Sequence, residues 1–327
     1  MGIVYPGKRL DTSNNTVLDI AIKCLYDDQP QSVIDRARRE ANVQLKNDNL
    51  VEMLGFVEVL QPGPNGNVMH YHVVSELLSG VMLLDLLRGR TTDAHGVEVP
   101  YARKLYDLYS TDRVAFAVHV TKRILSGVMA LHGAGYIHRD LDPSNIMVTR
   151  DGKLKIIDFG IAKKVDTMQA ADDHLTSVGQ FIGKAAYASP ELISGDLANQ
   201  NCTSDLYAVG IILYVLVVGK LPFTGKMSDI MNMQLTQPVP VKNVGNGKLR
   251  KIIAKATQKD QRKRYQSAAE FIVDLEHAAG GPSSLTTGGH PGIPKKPGGN
   301  DNVVMAIVLA AAIVLGLAAG YFIMEVL

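Results

Sequence analysis

The first eighty residues have the patterns of strands, with one helix among them. Residues 16–24 (TVLDIAIKC) form a β-branched run, and residues 50–60 and 69–77 alternate or run apolar, which predicts three strands. Residues 31–45 follow a proline and combine helical spacing with charge, which predicts a helix after the first strand. The pattern therefore predicts a small lobe in which β structure dominates.

The residues that follow have the helical period instead. Residues 113–134 have an apolar face at that period, which predicts a long helix. Residues 90–112 are polar and interrupted by Gly and Pro, which predicts an inserted surface loop. Further helical patterns cover 203–219, 228–235, 247–257 and 266–279. We therefore expect a helical lobe after the β-rich one.

A long apolar run stands near the end of the chain. Residues 303–324 include no charged side chain, and as a helix they would be about 33 Å long, enough to cross a hydrocarbon core of ~30 Å. A buried core helix is the alternative. Residues 280–302 are rich in Gly and Pro, which predicts a flexible linker. Because Lys295 and Lys296 precede the run and only Glu325 follows it, the N-terminal part is expected in the cytoplasm.

Composition and charge add little to this picture. The chain has 34 Lys+Arg and 32 Asp+Glu, a formal net charge of +2, so no strong field predicts nucleic acid as a partner. The two cysteines, Cys24 and Cys202, lie far apart and form no C-x-x-C pair. This spacing predicts reduced thiols and not a disulfide framework or a zinc site.

A set of residues with fixed spacing stands in the middle of the chain. Its members are His138, Arg139, Asp140, Asn145 and the triplet Asp158-Phe159-Gly160. Asn145 and Asp158 come five and eighteen residues after Asp140. The set resembles the H-R-D-x-x-x-x-N catalytic loop and the D-F-G motif of protein kinases, joined by a predicted pair of strands over 145–157. A chance Asp-rich turn is the alternative, but the joint spacing is far more specific than one triplet.

The resemblance implies a role for each polar group. Asp140 is the expected base for the substrate hydroxyl, and Asn145 and Asp158 are the expected Mg²⁺ ligands. The residues Ile20-Ala21-Ile22-Lys23 resemble V-A-I-K, so Lys23 is the expected contact of the ATP phosphates. Glu40 resembles the helix glutamate that pairs with this lysine. For Lys23 and Glu40 the alternative is an ordinary solvated side chain.

The resemblance also implies an ATP pocket between the two lobes. The expected nucleotide contacts are Gly2, Val4, Ala21, Lys23, Glu76, Leu78, Met147 and Asp158. The contacts at Glu76 and Leu78 would be made by the backbone of the hinge between the lobes, with Ser75 as a small gatekeeper. ATP and Mg²⁺ are therefore the expected cofactors.

A third motif resembles the A-P-E triplet that closes the activation segment of kinases. Here it reads Ser189-Pro190-Glu191, so the segment is expected over 158–191, with Thr167, Thr176 and Ser177 as phosphorylation candidates. By the same resemblance, Asp205 would fasten the catalytic loop backbone, and Arg264 would pair with Glu191.

Three departures from the family pattern matter for function. Of the G-x-G-x-x-G-x-V loop only the end is matched, by Gly2 and Val4, so either the start was assigned too far downstream or the kinase is degenerate. Asp142 stands where serine/threonine kinases have Lys, and Lys184 stands where their activation segment has Thr. We hypothesise that Lys184 pairs with Asp142 and supplies the cation near the γ-phosphate. The alternative is two unrelated losses.

These expectations combine into one architecture. It is an α+β bilobal protein kinase fold over 1–279, with an N-lobe at 1–78 and a C-lobe at 79–279, followed by the linker and one transmembrane helix. The chain is most similar to bacterial serine/threonine kinases of eukaryotic type. The expected reaction is phosphoryl transfer to protein Ser/Thr hydroxyls, including those of a second copy in trans. The alternative is a membrane-tethered pseudokinase that acts as a binding scaffold.

A last expectation concerns self-association in the membrane. Gly316 and Gly320 form a small-x-x-x-small pattern within the apolar run, which lets two helices approach closely. Dimerisation would raise the local concentration for a reaction in trans. A spacing accident in an Ala- and Gly-rich run is the alternative.

Overall fold

The computed structural model describes residues 2–11, 16–63, 66–158, 163–164 and 184–278. All of them belong to one unit, Met1–Pro282, and a second unit covers Ser283–Leu327. The predicted apolar run lies outside the described residues, as do the linker and the three phosphorylation candidates.

The N-terminal part is an antiparallel sheet with one helix. Its strands are β1 (Gly2–Asp11), β2 (Thr16–Leu25), β3 (Met53–Gly63) and β4 (Gly66–Glu76), in the order β1-β2-β4-β3. The helix α1 (Gln31–Ala41) packs against β3 and β4. Its buried residues Ile34, Ala37 and Ala41 recur at the helical spacing, so one face of the helix covers the sheet.

Helices dominate the C-terminal part. They are α2 (Leu83–Leu86), α3 (Pro100–Thr111), α4 (Arg113–Gly133), α5 (Pro190–Ile193), α6 (Cys202–Val218), α7 (Met227–Thr236), α8 (Gly247–Ala256) and α9 (Ala268–Ala278). The helix α4 packs against α3, α6 and α9, and α6 also packs against α8. Residues Thr203 to Leu216 of α6 are all buried, so this helix forms the centre of the core. It begins at a capping box of Asn201 and Ser204.

Short strands lie between the two parts. The strands β5 (Gly80–Met82), β7 (Ile146–Thr149) and β8 (Leu154–Ile156) form an antiparallel sheet in the order β5-β7-β8. The strand β6 (Tyr136–Ile137) pairs with β9 (Lys163–Lys164). Asn145 immediately precedes the β7–β8 hairpin and Asp158 follows it, so this hairpin fixes the spacing of two predicted site residues.

Most of the predicted elements are present, but the predicted surface loop over 90–112 is wrong in its second half. There the chain forms α3, which begins with Pro100 at its first position, where a proline is well tolerated. Its residues Ala102 and Leu105 are buried, and the helix packs against α4. The predicted helix over 31–45 is shorter than expected, since α1 ends at Ala41.

Among the described residues, α4 is the one helix long and apolar enough to cross a membrane. Ten of its residues are buried, and the helix packs against three others in the helical core. Its apolar character is thus explained by its place in the fold. The predicted transmembrane run at 303–324 lies outside the part of the chain that the structure describes.

Candidate active site

Lys23 is held between two carboxylates. It lies on β2, with Val4 of β1 opposite on one side and Val73 of β4 on the other. Its Nζ is 3.5 Å from Oε2 of Glu40 and 3.9 Å from Oδ1 of Asp158. The structure therefore brings together three residues that are widely separated in the sequence.

Burial and charge affect this cluster in different ways. Burial lowers the pKa of Lys23, but the carboxylates of Glu40 and Asp158 more than offset this and raise that pKa above its ordinary value. Burial raises the pKa of Glu40 to about 6, although Lys23 opposes the shift. Near pH 7 both groups are mainly charged, and Glu40 is the partner that loses its charge first as the pH falls.

The catalytic loop is fixed to the helical core by Asp205. One of its carboxylate oxygens accepts hydrogen bonds from the backbone N–H of His138 (2.9 Å) and from Nε2 of His132 (2.8 Å), and the other accepts from the backbone N–H of Arg139 (2.8 Å). Burial alone would raise the pKa of Asp205, but these donors hold it below its ordinary value. This geometry confirms the fastening predicted for Asp205.

Two residues of this region have an unusual backbone. Arg139 has φ of 67° and Asp158 has φ of 63°, and among the described residues they are the two non-glycine residues with positive φ. Such conformations are costly for residues with a Cβ and persist where the surrounding structure imposes them. The strained positions thus coincide with the predicted catalytic and metal-binding motifs.

Asp140 is nearly buried and has two neighbours with donor groups. Nδ2 of Asn145 donates to the backbone oxygen of Asp140 (2.7 Å) and to its Oδ2 (3.1 Å). Nζ of Lys184 contacts the same Oδ2. Burial raises the pKa of Asp140 above its ordinary value, although the charge of Lys184 opposes the shift. Lys184 thus stabilises the ionised form that a base requires.

The predicted pairing of Lys184 with Asp142 is wrong. Oδ1 of Asp142 accepts from the backbone N–H of Ser144 (2.6 Å) and from its hydroxyl (2.5 Å), so Asp142 caps the 3₁₀ turn Pro143–Asn145. Aspartate is a preferred residue at such a position because its short side chain reaches the next free N–H groups. Lys184 contacts Asp140 instead.

The predicted nucleotide contacts lie on neighbouring strands. Gly2 and Val4 pair with Leu25 and Lys23 across β1 and β2. Ala21 lies opposite Ser75 on β4.

The remaining predicted contacts lie at and beyond the end of β4. Glu76 ends that strand, and Leu78 follows it and packs against the core. Met147 lies on β7 opposite Met82.

Lys155, which is buried on β8, is a site residue that the sequence reasoning missed. Its Nζ donates to the backbone oxygen of Leu50 (3.1 Å) and contacts Oε1 of Glu76. That oxygen also accepts from the backbone N–H of Glu52 (2.8 Å). Lys155 therefore ties the end of β4 to the strand that precedes Asp158. The one available signal was a charged residue within the apolar run LKII.

The end of the predicted activation segment is anchored in the core. Nη1 and Nη2 of Arg264 donate to the two carboxylate oxygens of Glu191 at 2.7 and 3.0 Å. The hydroxyl of Ser204 donates to Glu191 at 2.5 Å. Burial would raise the pKa of Glu191, but these donors hold it below its ordinary value. The predicted pair of Arg264 and Glu191 is confirmed.

Two oxygen-bearing side chains suit a magnesium ion. The amide nitrogen of Asn145 is directed at Asp140, which leaves its Oδ1 as a ligand, and Asp158 contributes a carboxylate. Mg²⁺ prefers oxygen ligands and in phosphoryl-transfer sites is held by one or two protein oxygens together with phosphates. Within the described residues no group of three or more His, Cys, Asp or Glu is arranged to hold a metal. The donor set fits an ion shared with a nucleotide.

The chain is similar in sequence to a known family and to known proteins. Residues 1–274 match the protein kinase domain family. The chain is 32% identical over 266 residues to a probable serine/threonine-protein kinase of Clostridium perfringens, covering 79% of this chain and 34% of that protein. It is 32% identical over 254 residues to serine/threonine-protein kinase PknL of Mycobacterium tuberculosis, covering 76% of this chain and 56% of that protein.

A third relative extends this pattern. The probable serine/threonine-protein kinase PknB of Bifidobacterium longum is 31% identical over 248 residues, covering 73% of this chain and 32% of the relative. The chain therefore belongs to the protein kinase family, and its β-rich and helical parts fit the two-lobed fold of that family. It spans 34% and 56% of the length of the first two relatives.

Proposed function

We propose that the chain transfers the γ-phosphoryl group of ATP to Ser and Thr hydroxyls of proteins, in a reaction that depends on Mg²⁺. The observation that carries the proposal is that the carboxylates of Glu40 and Asp158 lie within 3.9 Å of the ammonium group of Lys23. A cation so placed suits polyphosphate, and catalysis of phosphoryl transfer rests on positioning and electrostatic stabilisation.

Each side chain has a role in this proposal. Asp140 accepts the proton of the acceptor hydroxyl, and it must be ionised to do so. Lys23 orients the phosphates and is itself held by Glu40. Asn145 and Asp158 hold Mg²⁺, which neutralises phosphate charge when bound. Lys184 keeps Asp140 ionised and supplies positive charge on the acceptor side of the cleft. This charge replaces that of the lysine which serine/threonine kinases have at the position of Asp142.

A membrane-tethered pseudokinase, acting as a scaffold, is the second candidate. The contact of Lys184 with Oδ2 of Asp140 favours it, because a base that is already engaged with a lysine is less accessible to an acceptor hydroxyl. The two candidates differ in one measurable respect. A kinase transfers phosphate and a scaffold does not, although both can bind a nucleotide.

The test uses the full chain with Mg²⁺ and ATP labelled on the γ-phosphate. Nucleotide binding is measured by equilibrium titration, and transfer to a Ser- and Thr-containing acceptor protein is followed as label in the acceptor. We expect both binding and transfer. Binding without transfer, at any enzyme concentration, would favour the scaffold over the kinase.

Autophosphorylation of the activation segment is a further part of the proposed function. Arg139 precedes the base, and an arginine there can pair with a phosphate on the segment through charge-assisted hydrogen bonds. We expect phosphate at Thr176 or Ser177 in preference to Thr167, added in trans. Mass spectrometry of ATP-treated chain gives the sites. An active preparation that carries no phosphate anywhere in 158–191 would contradict this.

We also propose that the chain is a single-pass membrane protein with its kinase domain in the cytoplasm. The support is the uncharged run at 303–324 with Lys295 and Lys296 before it. Fractionation of cells should find the chain with the membrane and lose it when the run is deleted. If Gly316→Ile with Gly320→Ile leaves self-association in the membrane unchanged, the proposed dimer through this run is wrong.

A further inference from the structure

A series of buried hydrogen bonds connects a lysine to the 184–191 segment. Gln234 of α7 is fully buried, and its Nε2 donates to the backbone oxygen of Ala186 (2.6 Å). Its Oε1 accepts from the hydroxyl of Tyr207 on α6 (2.5 Å). Lys259, in the turn after α8, donates from Nζ to that hydroxyl (2.8 Å) and to the backbone oxygen of Gln234 (2.6 Å). The series thus joins α6, α7 and the turn after α8 to the 184–191 segment.

The two ends of this series, the ammonium group of Lys259 and the backbone oxygen of Ala186, determine the direction of its bonds. An ammonium group can only donate, so the hydroxyl of Tyr207 accepts from it and gives its single proton to Oε1 of Gln234. The Nε2 group is then the one that faces Ala186. A flipped amide would bring Oε1 of Gln234 against the backbone oxygen of Ala186, and neither oxygen carries a proton. The carbonyl of Ala186 therefore fixes the orientation of the Gln234 amide, and the charge of Lys259 polarises the bonds of the series.

The surroundings of Lys259 make it a specialised residue. Its Nζ lies 5.2 Å from the ring centre of Tyr207 and 5.4 Å from that of Phe223. Burial and the charge of Arg264 lower its pKa to about 8, although the charge of Glu191 opposes the shift. A half-buried ammonium group is costly unless its donors are satisfied, and here two bonds to the network do so.

The anchored carbonyl lies close in sequence to the lysine on the base. Ala186 belongs to a turn in which the backbone N–H of Tyr187 donates to the oxygen of Lys184 (3.1 Å). Lys184 in turn contacts Asp140. A shift of Ala186 is therefore transmitted within two residues to the side chain that contacts the base. The far end of the segment is held separately, by Glu191.

We propose that Lys259, Tyr207 and Gln234 are positioning residues that hold the 184–191 segment in place on the acceptor side of the active site. Loss of the network lets the segment open, so the surface next to Asp140 is formed for a smaller fraction of the time. The apparent KM for a protein acceptor then rises. Nucleotide affinity is unchanged, because Lys23 lies on the opposite lobe. The kinetic part of this inference rests on the proposed phosphoryl-transfer function.

The first test is Gln234→Glu, which puts an oxygen where Nε2 faces Ala186 and keeps the shape of the side chain. The matched control is Asn232→Asp, the same chemical change at an exposed position of the same helix. Amide hydrogen exchange measured by mass spectrometry should be roughly tenfold faster over 184–191 in Gln234→Glu, as expected for a lost buried hydrogen bond. The control should exchange like the parent. In Gln234→Glu the KM for the acceptor should rise together with the exchange rate over 184–191, whereas the KM for ATP should stay unchanged.

A second pair of variants separates the donor from the bulk of the side chain. Lys259→Met removes the ammonium group and should also speed exchange over 184–191, whereas Lys259→Arg keeps donors and should restore part of the protection. Lys263→Met, at an exposed lysine nearby, is the control. If Gln234→Glu does not fold, Lys259→Met and Lys259→Arg decide whether the network holds the 184–191 segment. Parent-like exchange over 184–191 in Lys259→Met, or in a folded Gln234→Glu, overturns the proposal.

The exchange measurement needs no catalysis. If the parent chain transfers no phosphate, the proposed function fails, but the exchange result still decides whether the network holds the segment. The two failures are therefore distinguishable.

Discussion

The two sides of the cleft hold their lysines in different ways. On the nucleotide side, Lys23 is fixed in the middle of a sheet and lies between two carboxylates, at 3.5 and 3.9 Å. On the acceptor side, Lys184 contacts a single carboxylate, that of Asp140, and comes from a segment held by a few side-chain anchors. Lys23 is thus held by two carboxylates on a paired strand, whereas Lys184 is held by one carboxylate on a less restrained segment.

This difference indicates which side must rearrange during the reaction. Lys23 can turn toward phosphates while Glu40 still holds it, so little has to move on the nucleotide side. On the acceptor side, Lys184 and Asn145 already contact Oδ2 of Asp140, so a hydroxyl competes with them for that oxygen. The segment that carries Lys184 is therefore the element whose position sets the accessibility of the base.

The largest effect is expected on the nucleotide side. Lys23→Met removes the cation between Glu40 and Asp158, and transfer should fall roughly a hundredfold or more, because a well-placed charge is worth that much in the transition state. Lys8→Met, an exposed lysine on the adjacent strand, is the control. Labelled transfer at saturating acceptor measures both. Near-parental activity in Lys23→Met would contradict the role of Lys23 in orienting the ATP phosphates.

A smaller loss is expected on the acceptor side. Lys184→Met should lower kcat roughly tenfold, the lower end of what a hydrogen bond to a charged group contributes, with little change in ATP affinity, because the phosphate-binding groups are intact. Burial already raises the pKa of Asp140 and Lys184 opposes this, so the variant should also lose activity at a higher pH than the parent as the solution is acidified. Initial rates over a pH series measure this. A faster variant would identify Lys184 as a block on the base.

Glu40→Gln should separate stability from activity. Because burial raises the pKa of Glu40 from 4.5 to about 6, the parent binds an extra proton when folded and loses about 2 kcal/mol of unfolding free energy as the pH rises through that window. The variant lacks this loss, so its stability relative to the parent should increase from pH 4.5 to pH 7. Denaturant titrations at the two pH values test this.

Activity should behave in the opposite way. The Lys23 pair needs an ionised Glu40, so the parent should lose activity as the pH falls through about 6. Glu40→Gln should be slow at every pH. If the stability difference between variant and parent is the same at both pH values, the assigned protonation of Glu40 is wrong.

The smallest effect is expected at the hinge. Glu76→Gln weakens the contact with Lys155 and keeps an oxygen that can accept from Glu52. The end of β4 should become slightly less restrained, and the KM for ATP should rise only a few-fold, because the variant loses the carboxylate charge but still offers Lys155 an oxygen acceptor. Asp19→Asn on β2 is the control, and ATP titrations provide the measurement. A large rise would mean that the Glu76 side chain does more than orient the backbone.

The nucleotide side was largely predictable from the sequence, and the acceptor side was not. Lys23 and Glu40 lie in a strand and a helix whose periodicity is clear, and Asn145 and Asp158 have a fixed spacing around one hairpin. The wrong partner for Lys184 arose because a side-chain contact over 44 positions depends on the path of the chain. Asp142 also had a local use, as a cap, which competes with any contact across the cleft.

Other errors have similar physical origins. The polar composition of 90–112 concealed α3, because only two of its residues, Ala102 and Leu105, are buried. Gln234 and Lys259 gave no signal, since polar residues in helices and turns are usually solvated. Their burial is a property of the packed core and of the segment above it.

The effect of Asp140→Asn on phosphate transfer tests the assignment of Asp140 as the base. The variant keeps the size of the side chain and removes the base, so it should bind ATP with Mg²⁺ as well as the parent does. The acceptor is incubated with each protein, and its phosphoserine and phosphothreonine are counted by mass spectrometry. We predict abundant phosphate from the parent and a loss of at least roughly a hundredfold in the variant. Equal phosphate from both proteins would contradict the assignment of Asp140 as the base.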